Sequence, residues 1–414
     1  MPRLIVIGAG PAGMMAAGQA AELGAEVILL EKTKSPGRKL RLTGAGRCNL
    51  TNSLELTDFL SHVHGNGRFL RQALSRFFST DLISFMEEIG VPTVAEPTGH
   101  IYPASGRAVD VVNGLRNWLH NNSVDIRTDC PVAELVVESQ RITGVKTRSQ
   151  TIQTDSVIIA SGGESYPETG CTGDGYRLAE AVGHNIVPVR PSLIPLEIPG
   201  DIPARLQGLS LSATGVTFLA NDKRFATTQG EVLFTHFGVS GPAVLRLSRQ
   251  VVDALRSKQT ITMSLDLLPD LNQTKLNALL LDAIKAHGKR MMQNLLSQWL
   301  PARLAPMVLE SSDIKPDTPA NQVGSAQRKQ LLKSLKDFRL NITGHRPMAE
   351  AIVTAGGVDT GQVDPRTMAS QLVKNLYFAG EVLDVDGDSG GFNLQIAFST
   401  GWLAGRSAAQ DKSP

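Results

Sequence analysis

Gly8, Gly10 and Gly13 stand at G-x-G-x-x-G spacing between an apolar run, "RLIVIG" (3–8), and a run of small apolar residues, "PAGMMAAGQAAELG" (11–24). A second apolar run, "AEVILLEK" (25–32), follows at once. Short apolar runs bounded by glycine read as buried strands, and small apolar residues at helical spacing read as a helix lying close on them. Strand, helix and strand in succession form a βαβ unit, which commits this end of the chain to a parallel sheet. Gly8 permits the tight turn, Gly10 lets backbone approach a pyrophosphate, and Gly13 lets helix and strand pack closely. Pro11 and Ala12 open the helix, where unpaired N–H groups and the helix dipole favour phosphate. Glu31 ends the second strand, where a carboxylate accepts both hydroxyls of an adenosine ribose. The pattern predicts a bound dinucleotide.

At 414 residues the chain is too long for one ordinary core, so two or three domains are expected. A hydrophobic content of 42% with 19% charged residues is that of a soluble globular protein. A net charge of +2 without a long basic run argues against a surface that coats nucleic acid, and no nucleic-acid partner is expected. Three cysteines without a C-x-x-C pair suggest a reducing compartment and no metal site. The glycine spacing near the N-terminus argues against a signal peptide, and no later apolar run is long enough to span a bilayer. A cytoplasmic protein without membrane association is expected.

Residues 68–90 and 107–121 read as helices, and 141–163 as a hairpin leading into a third apolar strand. The stretch "PVRPSLIPLEIPGDIP" (188–203) is rich in proline and marks a domain boundary. Strand patterns fill 208–268, and 273–340 is mostly helical. "EAIVTAGGV" (350–358) and "NLYFAGE" (375–381) then read as strands of the first domain again. The expected organisation is a nucleotide domain, 1–188 and 346–414, interrupted by an insertion, 189–345, that is β-rich to 268 and helical from 269.

The runs "IVIGAG", "VIIASGG", "AIVTAGGV" and "LYFAGE" all end in glycine. In a doubly wound sheet the carboxyl ends of the strands line the ligand crevice. Glycine stations spread over nearly the whole chain suit an extended FAD better than NAD, and no second glycine fingerprint is present for a separate nicotinamide domain. The last station, "GEVLDVDGDSGGFNLQIAFSTGWLAGRSAA" (380–409), runs from strand to acidic loop to helix. A helix beginning near Asn393, after Gly390 and Gly391, would aim free N–H groups at the pyrimidine edge of a flavin, which gains negative charge on reduction. Glu381 is placed to bond ribityl hydroxyls. Asp384, Asp386 and Asp388 mimic the start of an EF-hand, but its sixth position is Ser389 and its twelfth Gln395, which excludes that calcium loop.

Three stretches resemble the signatures of the BaiN/HI0933-like flavoproteins: "GRKLRLTGAGRCNLTN" (37–52), "SYPETGCTGDGYRLAEAVGH" (165–184) and "GEVLDVDGDSGGFNLQIAFSTG" (380–401). The resemblance covers almost the whole chain. It implies an α/β fold: a Rossmann-like FAD-binding domain of the glutathione-reductase type with a long inserted β-rich plus helical region. It also implies that Gly37, Arg38 and Lys39 lie near the phosphates and that Thr43, Gly44, Arg47, Cys48 and Asn49 approach the flavin. Lys32, Val132, Gly162, Gly380, Gly391, Asn393, Leu394 and Gln395 complete the cofactor-binding positions on this reading. Relatives of this kind include a reductase of conjugated enones in bile-acid-like steroids and an aminoacetone oxidase. Two positions depart from the pattern: Cys171 stands where the family has Ser, and His100 where relatives tend to have Arg.

The expected activity is that of an FAD-dependent oxidoreductase passing hydride from NAD(P)H through flavin N5 to an unsaturated or carbonyl-containing small molecule. An oxidase of small amines and an RNA-binding flavoprotein are the alternatives. His236, in "FTHFGVSGP", and Tyr166 are the candidate proton donors, and the resemblance places His236 where the insertion faces the FAD domain. His184, after Gly183, reads as a helix cap. Neighbouring arginines would lower the pKa of Cys48. Without a second cysteine beside it, Cys48 reads as a filler under the flavin rather than a redox centre.

Overall fold

The computed structural model describes residues 1–411. The chain divides into two compact units, Met1–Pro191 joined by the segment from Met348 onward, and Ser192–Pro347.

The first unit is built on five strands: β1 (Arg3–Ile7), β2 (Glu26–Leu30), β3 (Asp125–Arg127), β4 (Ser156–Ile159) and β5 (Leu376–Phe378). They lie in the order β5–β4–β1–β2–β3, every pair parallel. The central strands are apolar along their length because a parallel sheet is covered on both faces; Leu4, Ile5 and Val6 are fully buried. The strand that closes the order, β5, comes from the far end of the sequence, so the sheet is complete only when the segment after residue 348 returns to it.

The small residues of the first helix (Pro11–Glu22) have specific partners. A Cβ on Gly18 would stand 2.0 Å from the Trp118 ring. Along the long helix Phe392–Gln410, a Cβ on Gly401 would lie 2.3 Å from the Ala12 carbonyl oxygen, and one on Gly405 2.3 Å from that of Ala16. The two helices meet backbone to backbone through a glycine pair four residues apart. This contact fixes the N-terminal turn of the first helix against the long helix.

One strand read from the sequence as belonging with these lies outside the parallel sheet. Val353–Val358, read from the sequence as a station like the others, pairs instead with Ile186–Ser192 in a separate two-stranded sheet. Gly356 and Gly357 take φ of +88° and +134°, a geometry that breaks a regular ladder. A side chain on Gly356 would strike the Pro188 carbonyl, 2.6 Å away.

The second unit carries a seven-stranded antiparallel sheet with Ser210–Ala220 and Lys223–Phe234 as its long central hairpin. The helix Pro242–Arg256 interrupts the strand-rich part, and helices Gln273–Ala286 and Ser325–Lys336 belong to its helical part. This unit has its own core, including Val216, Phe218, Phe234 and Met263.

Candidate flavin-binding and catalytic site

The glycine turn has the geometry of a phosphate cradle. Gly8 takes φ +101°, and a Cβ there would lie 2.6 Å from the Ala160 carbonyl oxygen. A Cβ on Gly13 would lie 1.8 Å from the Gly8 carbonyl oxygen, so helix and turn touch directly. Gly10 differs: nothing lies within 4 Å of where its Cβ would point. The amides of Ala12 and Gly13 precede the first bond of the helix, Met14 N to Gly10 O at 2.9 Å. Pro11 at the first helical position has no N–H to leave unpaired.

Glu31 is held at the end of β2. Its Oε2 accepts from Ala9 N at 3.0 Å and its Oε1 from Thr33 N at 2.8 Å. Lys32 bonds Thr172 and pairs with Asp174. Val132 is buried at the start of its own strand, and Arg38 is exposed.

The loop after β2 folds back on the turn: Gly37 N donates to Ala9 O at 2.9 Å. Gly44, Ala45 and Cys48 all take left-handed φ, +57°, +54° and +64°, which coils the segment into irregular turns instead of a helix. Thr43 is tied down by its hydroxyl, which donates to Leu40 O at 2.7 Å. The Arg47 guanidinium pairs with Glu96 and lies 4.0 Å from the centre of the Tyr102 ring. It is therefore not available to activate Cys48. The Asn49 amide, with its nitrogen turned toward Ile101 O and Thr51 O, accepts from Gly391 N at 3.1 Å. It joins the loop to the start of the long helix.

Burial pushes the Cys48 thiol up to about 12, against a lowering hydrogen bond with Thr43. The expected effect of neighbouring arginines is absent, and Cys48 is a neutral thiol at physiological pH. Its folded value lies above the ordinary 9.0, so it contributes stability that is full below about pH 9 and is lost as pH rises toward 12. In the folded protein at pH 8, iodoacetamide labels the partly exposed Cys130 and leaves Cys48 unlabelled, as read by peptide mass spectrometry. Rapid labelling of Cys48 before unfolding would contradict this.

Further along, Lys39 does not stand alone. Its ammonium bonds both oxygens of Glu381, at 2.7 and 3.0 Å, and Ser165 Oγ at 2.6 Å. Glu381 Oε1 also accepts from Thr354 N at 2.9 Å and Ser165 Oγ at 3.1 Å. Burial works to lower the Lys39 pKa, but Glu381, with Cys171 and Tyr166 nearby, outweighs it and holds the value above the ordinary one. Gly162 borders this cluster; a Cβ there would lie 3.1 Å from Cys171 Sγ and 3.8 Å from Glu381 Oε2. Gly380, whose N donates to Thr400 Oγ1 at 2.9 Å, sets Glu381 against the long helix. Tyr166, half-buried, takes φ +51° at the turn beside Lys39.

At the long helix, Gly391 takes φ +94°, and a Cβ there would lie 2.4 Å from the Thr51 backbone. The N–H groups of Phe392, Asn393 and Leu394 precede the first helical bond, Gln395 N to Gly391 O at 3.1 Å. The Asn393 side chain turns back. It accepts from Gly387 N at 2.8 Å and donates to Gly387 O at 2.7 Å, so only its backbone N–H is offered forward. Gln395 is fully buried, with its amide nitrogen on Ser399 Oγ at 2.9 Å.

Sequence reasoning missed one constellation here. Asp388 accepts from two histidines at once, His62 Nδ1 on Oδ2 and His64 Nε2 on Oδ1, both at 2.8 Å. Burial would raise the Asp388 pKa, but the bonds from His64 and His62 outweigh it and hold the carboxyl below its usual range. The His62 ring stacks on Phe392, 4.6 Å between centres. The available signal was the pair of histidines two apart, His64 on the short strand Val63–Gly65 and His62 in the turn just before it. The earlier candidates are placed differently. His184 is buried, its Nε2 2.7 Å from Ser370 Oγ, and burial holds its pKa low. His236 is exposed on the turn between two strands of the second unit.

The open space before Gly10, the free amides beside it and the carboxylate at the end of β2 fit the pyrophosphate and ribose of FAD. Comparison with known proteins agrees. Residues 2–407 match the HI0933-like protein Rossmann domain. A 3-dehydro-bile acid delta(4,6)-reductase of Clostridium scindens is 34% identical over 412 residues, covering 99% of this chain and 100% of that one. A ribosomal RNA dihydrouridine synthase of Escherichia coli (strain K12) is 32% identical over 410 residues, covering 99% and 98%. In fold, the chain is similar to 3-ketosteroid-delta4-(5alpha)-dehydrogenase from Rhodococcus jostii RHA1, solved with 4-androstene-3,17-dione, at a TM-score of 0.54 and 15% identity, over 99% of this chain and 96% of that one. A match that starts at residue 2 and ends at residue 407 takes in both units, and the chain belongs to the HI0933-like family of FAD-dependent oxidoreductases.

Proposed function

We propose that this enzyme uses NAD(P)H to reduce a carbon–carbon double bond conjugated to a carbonyl group, in a small unsaturated ketone of steroid-like shape. The observation that carries the reading is the chemistry shared by two full-length relatives. A delta(4,6)-reductase of a 3-dehydro-bile acid acts on double bonds in conjugation with a ring ketone, and a dihydrouridine synthase saturates the bond conjugated to a uracil carbonyl. Reduction of an alpha,beta-unsaturated carbonyl adds a hydride at the carbon remote from the carbonyl and a proton at the carbon beside it.

Bound FAD supplies the hydride transfer. The amides of Ala12 and Gly13 hold its pyrophosphate and Glu31 its ribose. Glu381, oriented by Lys39, Ser165 and Thr354 N, serves the ribityl hydroxyls. The free amides of Phe392, Asn393 and Leu394 hold the pyrimidine edge, and their partial positive charge favours negative charge there. The reading places the reaction in the cytoplasm, where NAD(P)H is supplied. All three cysteines are free thiols, and no helix among the described residues is long and apolar enough to cross a membrane.

The test is anaerobic. The purified holoenzyme is mixed with NADH or NADPH, and its reoxidation is followed with a 4-en-3-one steroid panel, with ribosomal RNA and with oxygen. Rapid reduction by a nicotinamide and rapid reoxidation by an enone are expected. Reoxidation by ribosomal RNA alone, with dihydrouridine formed, would move the substrate to the class named by the Escherichia coli relative. Bleaching by a small amine with peroxide release, and none by nicotinamide, would replace the reductase by an oxidase.

A further inference from the structure

We infer that His62 is the proton donor of this reduction, and that Asp388 is the positioning residue that aims it. The inference rests on the reductase reading above and identifies the source of the second hydrogen.

The geometry fixes which nitrogen is free. Asp388 Oδ2 accepts from His62 Nδ1, so the proton of the neutral ring sits on Nδ1 and Nε2 is left as the working atom. The other oxygen of Asp388 is occupied by His64 Nε2, so the carboxylate cannot rotate away from His62 without breaking a second bond. Asp388 is pinned further by its own backbone, whose N donates to His62 O at 2.9 Å. The side chain of Asp388 is 8% exposed while that of His62 is 32% exposed, so the anchor is buried and the imidazole edge reaches solvent. The ring stacks on that of Phe392, the first residue of the long helix whose opening amides are assigned to the pyrimidine edge. Each histidine bonds a different oxygen, and among the described residues no three such groups gather around a point where a metal ion could sit. The arrangement is that of a carboxylate steering imidazoles, which suits proton transfer.

In the step, hydride adds to the carbon remote from the carbonyl, the carbon–carbon π bond breaks, and its electron pair moves into an enolate. His62 in its imidazolium form then gives the Nε2 proton to the carbon beside the carbonyl. The ring returns to the neutral form with its proton still on Nδ1 and hydrogen-bonded to Asp388, which stays ionised throughout. Solvent restores the Nε2 proton through the exposed edge. The titratable groups that face His62 or its carboxylate are Asp388 in the loop and His64 with Asp386 on the paired strands, and His100 lies against Gly390 of the same loop, its Nε2 3.1 Å from where a Cβ would stand there.

The test separates the two half-reactions of the holoenzyme and adds a readout that needs no turnover. In His62→Gln, transfer to the enone slows by about 10²-fold or more relative to reduction by nicotinamide, the range of a lost general acid. The alkaline fall in the wild-type rate of that second step disappears with it. In nitrogen-15 NMR of the wild type above neutral pH, His62 carries its proton on Nδ1, the tautomer a free imidazole disfavours. In Asp388→Asn this signature shifts to Nε2, and the second half-reaction slows with it. A His62→Gln enzyme within about threefold of wild type in the second step, a larger loss in Tyr166→Phe or His236→Gln, or a wild-type His62 protonated on Nε2 would each overturn the proposal. If the wild type reduces no conjugated double bond at all, the functional reading fails first and takes this role for His62 with it.

Discussion

Gly10→Val yields a folded protein that no longer retains FAD. The backbone of Gly10, φ −80° and ψ −176°, is extended and open to any residue, so valine introduces no strain there. Nothing within 4 Å meets a Cβ at this position, so the chain packs as before. That emptiness adjoins the first turn of the helix, and the valine methyl groups would take the volume that a pyrophosphate needs there. A steric conflict of about 3 kcal/mol corresponds to a loss of affinity of roughly 10²-fold. The comparison is Gly13→Val, whose Cβ would meet the Gly8 carbonyl oxygen at 1.8 Å and which loses the fold as well as the cofactor. Flavin content per chain and urea unfolding distinguish the two. Stoichiometric FAD in a folded Gly10→Val protein would mean that the glycine turn does not hold the pyrophosphate.

Gly401→Val lowers stability by about 3 kcal/mol or more, because the new side chain meets backbone that has no rotamer to yield. Its Cβ would lie 2.3 Å from the Ala12 carbonyl oxygen, so the long helix must move away from the first helix. Movement there also displaces the amides that cradle phosphate, and flavin is lost at lower urea than the fold. Gly405→Val acts on the same contact one turn along, against Ala16. Once the helices have parted, the second substitution has less to break, and the double variant is less destabilised than the sum of the two. Urea midpoints for the four proteins decide this. An unchanged midpoint in Gly401→Val, or full additivity, would show that the helices are not locked to each other by these glycines.

Much of the FAD-binding unit was legible from local pattern. Gly8, Gly10, Gly13 and Glu31 lie within one βαβ unit, and their roles follow from backbone geometry over a few residues. The strands at 3–7, 156–159 and 376–378 announced themselves by apolar runs ended by glycine, and 26–30 by an apolar run directly after the first helix, for which a buried parallel strand is the economical solution. The glycine station at 353–358 looked the same, yet it left the sheet. Its two left-handed glycines and its fit to the Pro188 backbone are facts about a partner, and no local pattern states them.

The candidate site divides along the same line. Its loop was recognisable as polar, glycine-rich and unsuited to a helix, but proximity in sequence misled about charge. Arg47, next to Cys48, is taken by Glu96 and Tyr102, and burial then decides the state of the thiol. Lys39 finds Glu381 across 342 positions, and His62 finds Asp388 across 326. Both pairings cross the gap left by the second unit, so they form only when the segment after residue 348 closes the sheet with β5 and seats the long helix. The sequence by itself determined the βαβ unit, the tight glycine turn and the carboxylate at the end of the second strand, because each is written in residues that are neighbours along the chain. Tertiary structure alone decided the ion pair at Glu381, the neutrality of Cys48 and the aim of His62, because hydrogen bonding and desolvation depend on groups brought together by folding rather than by order.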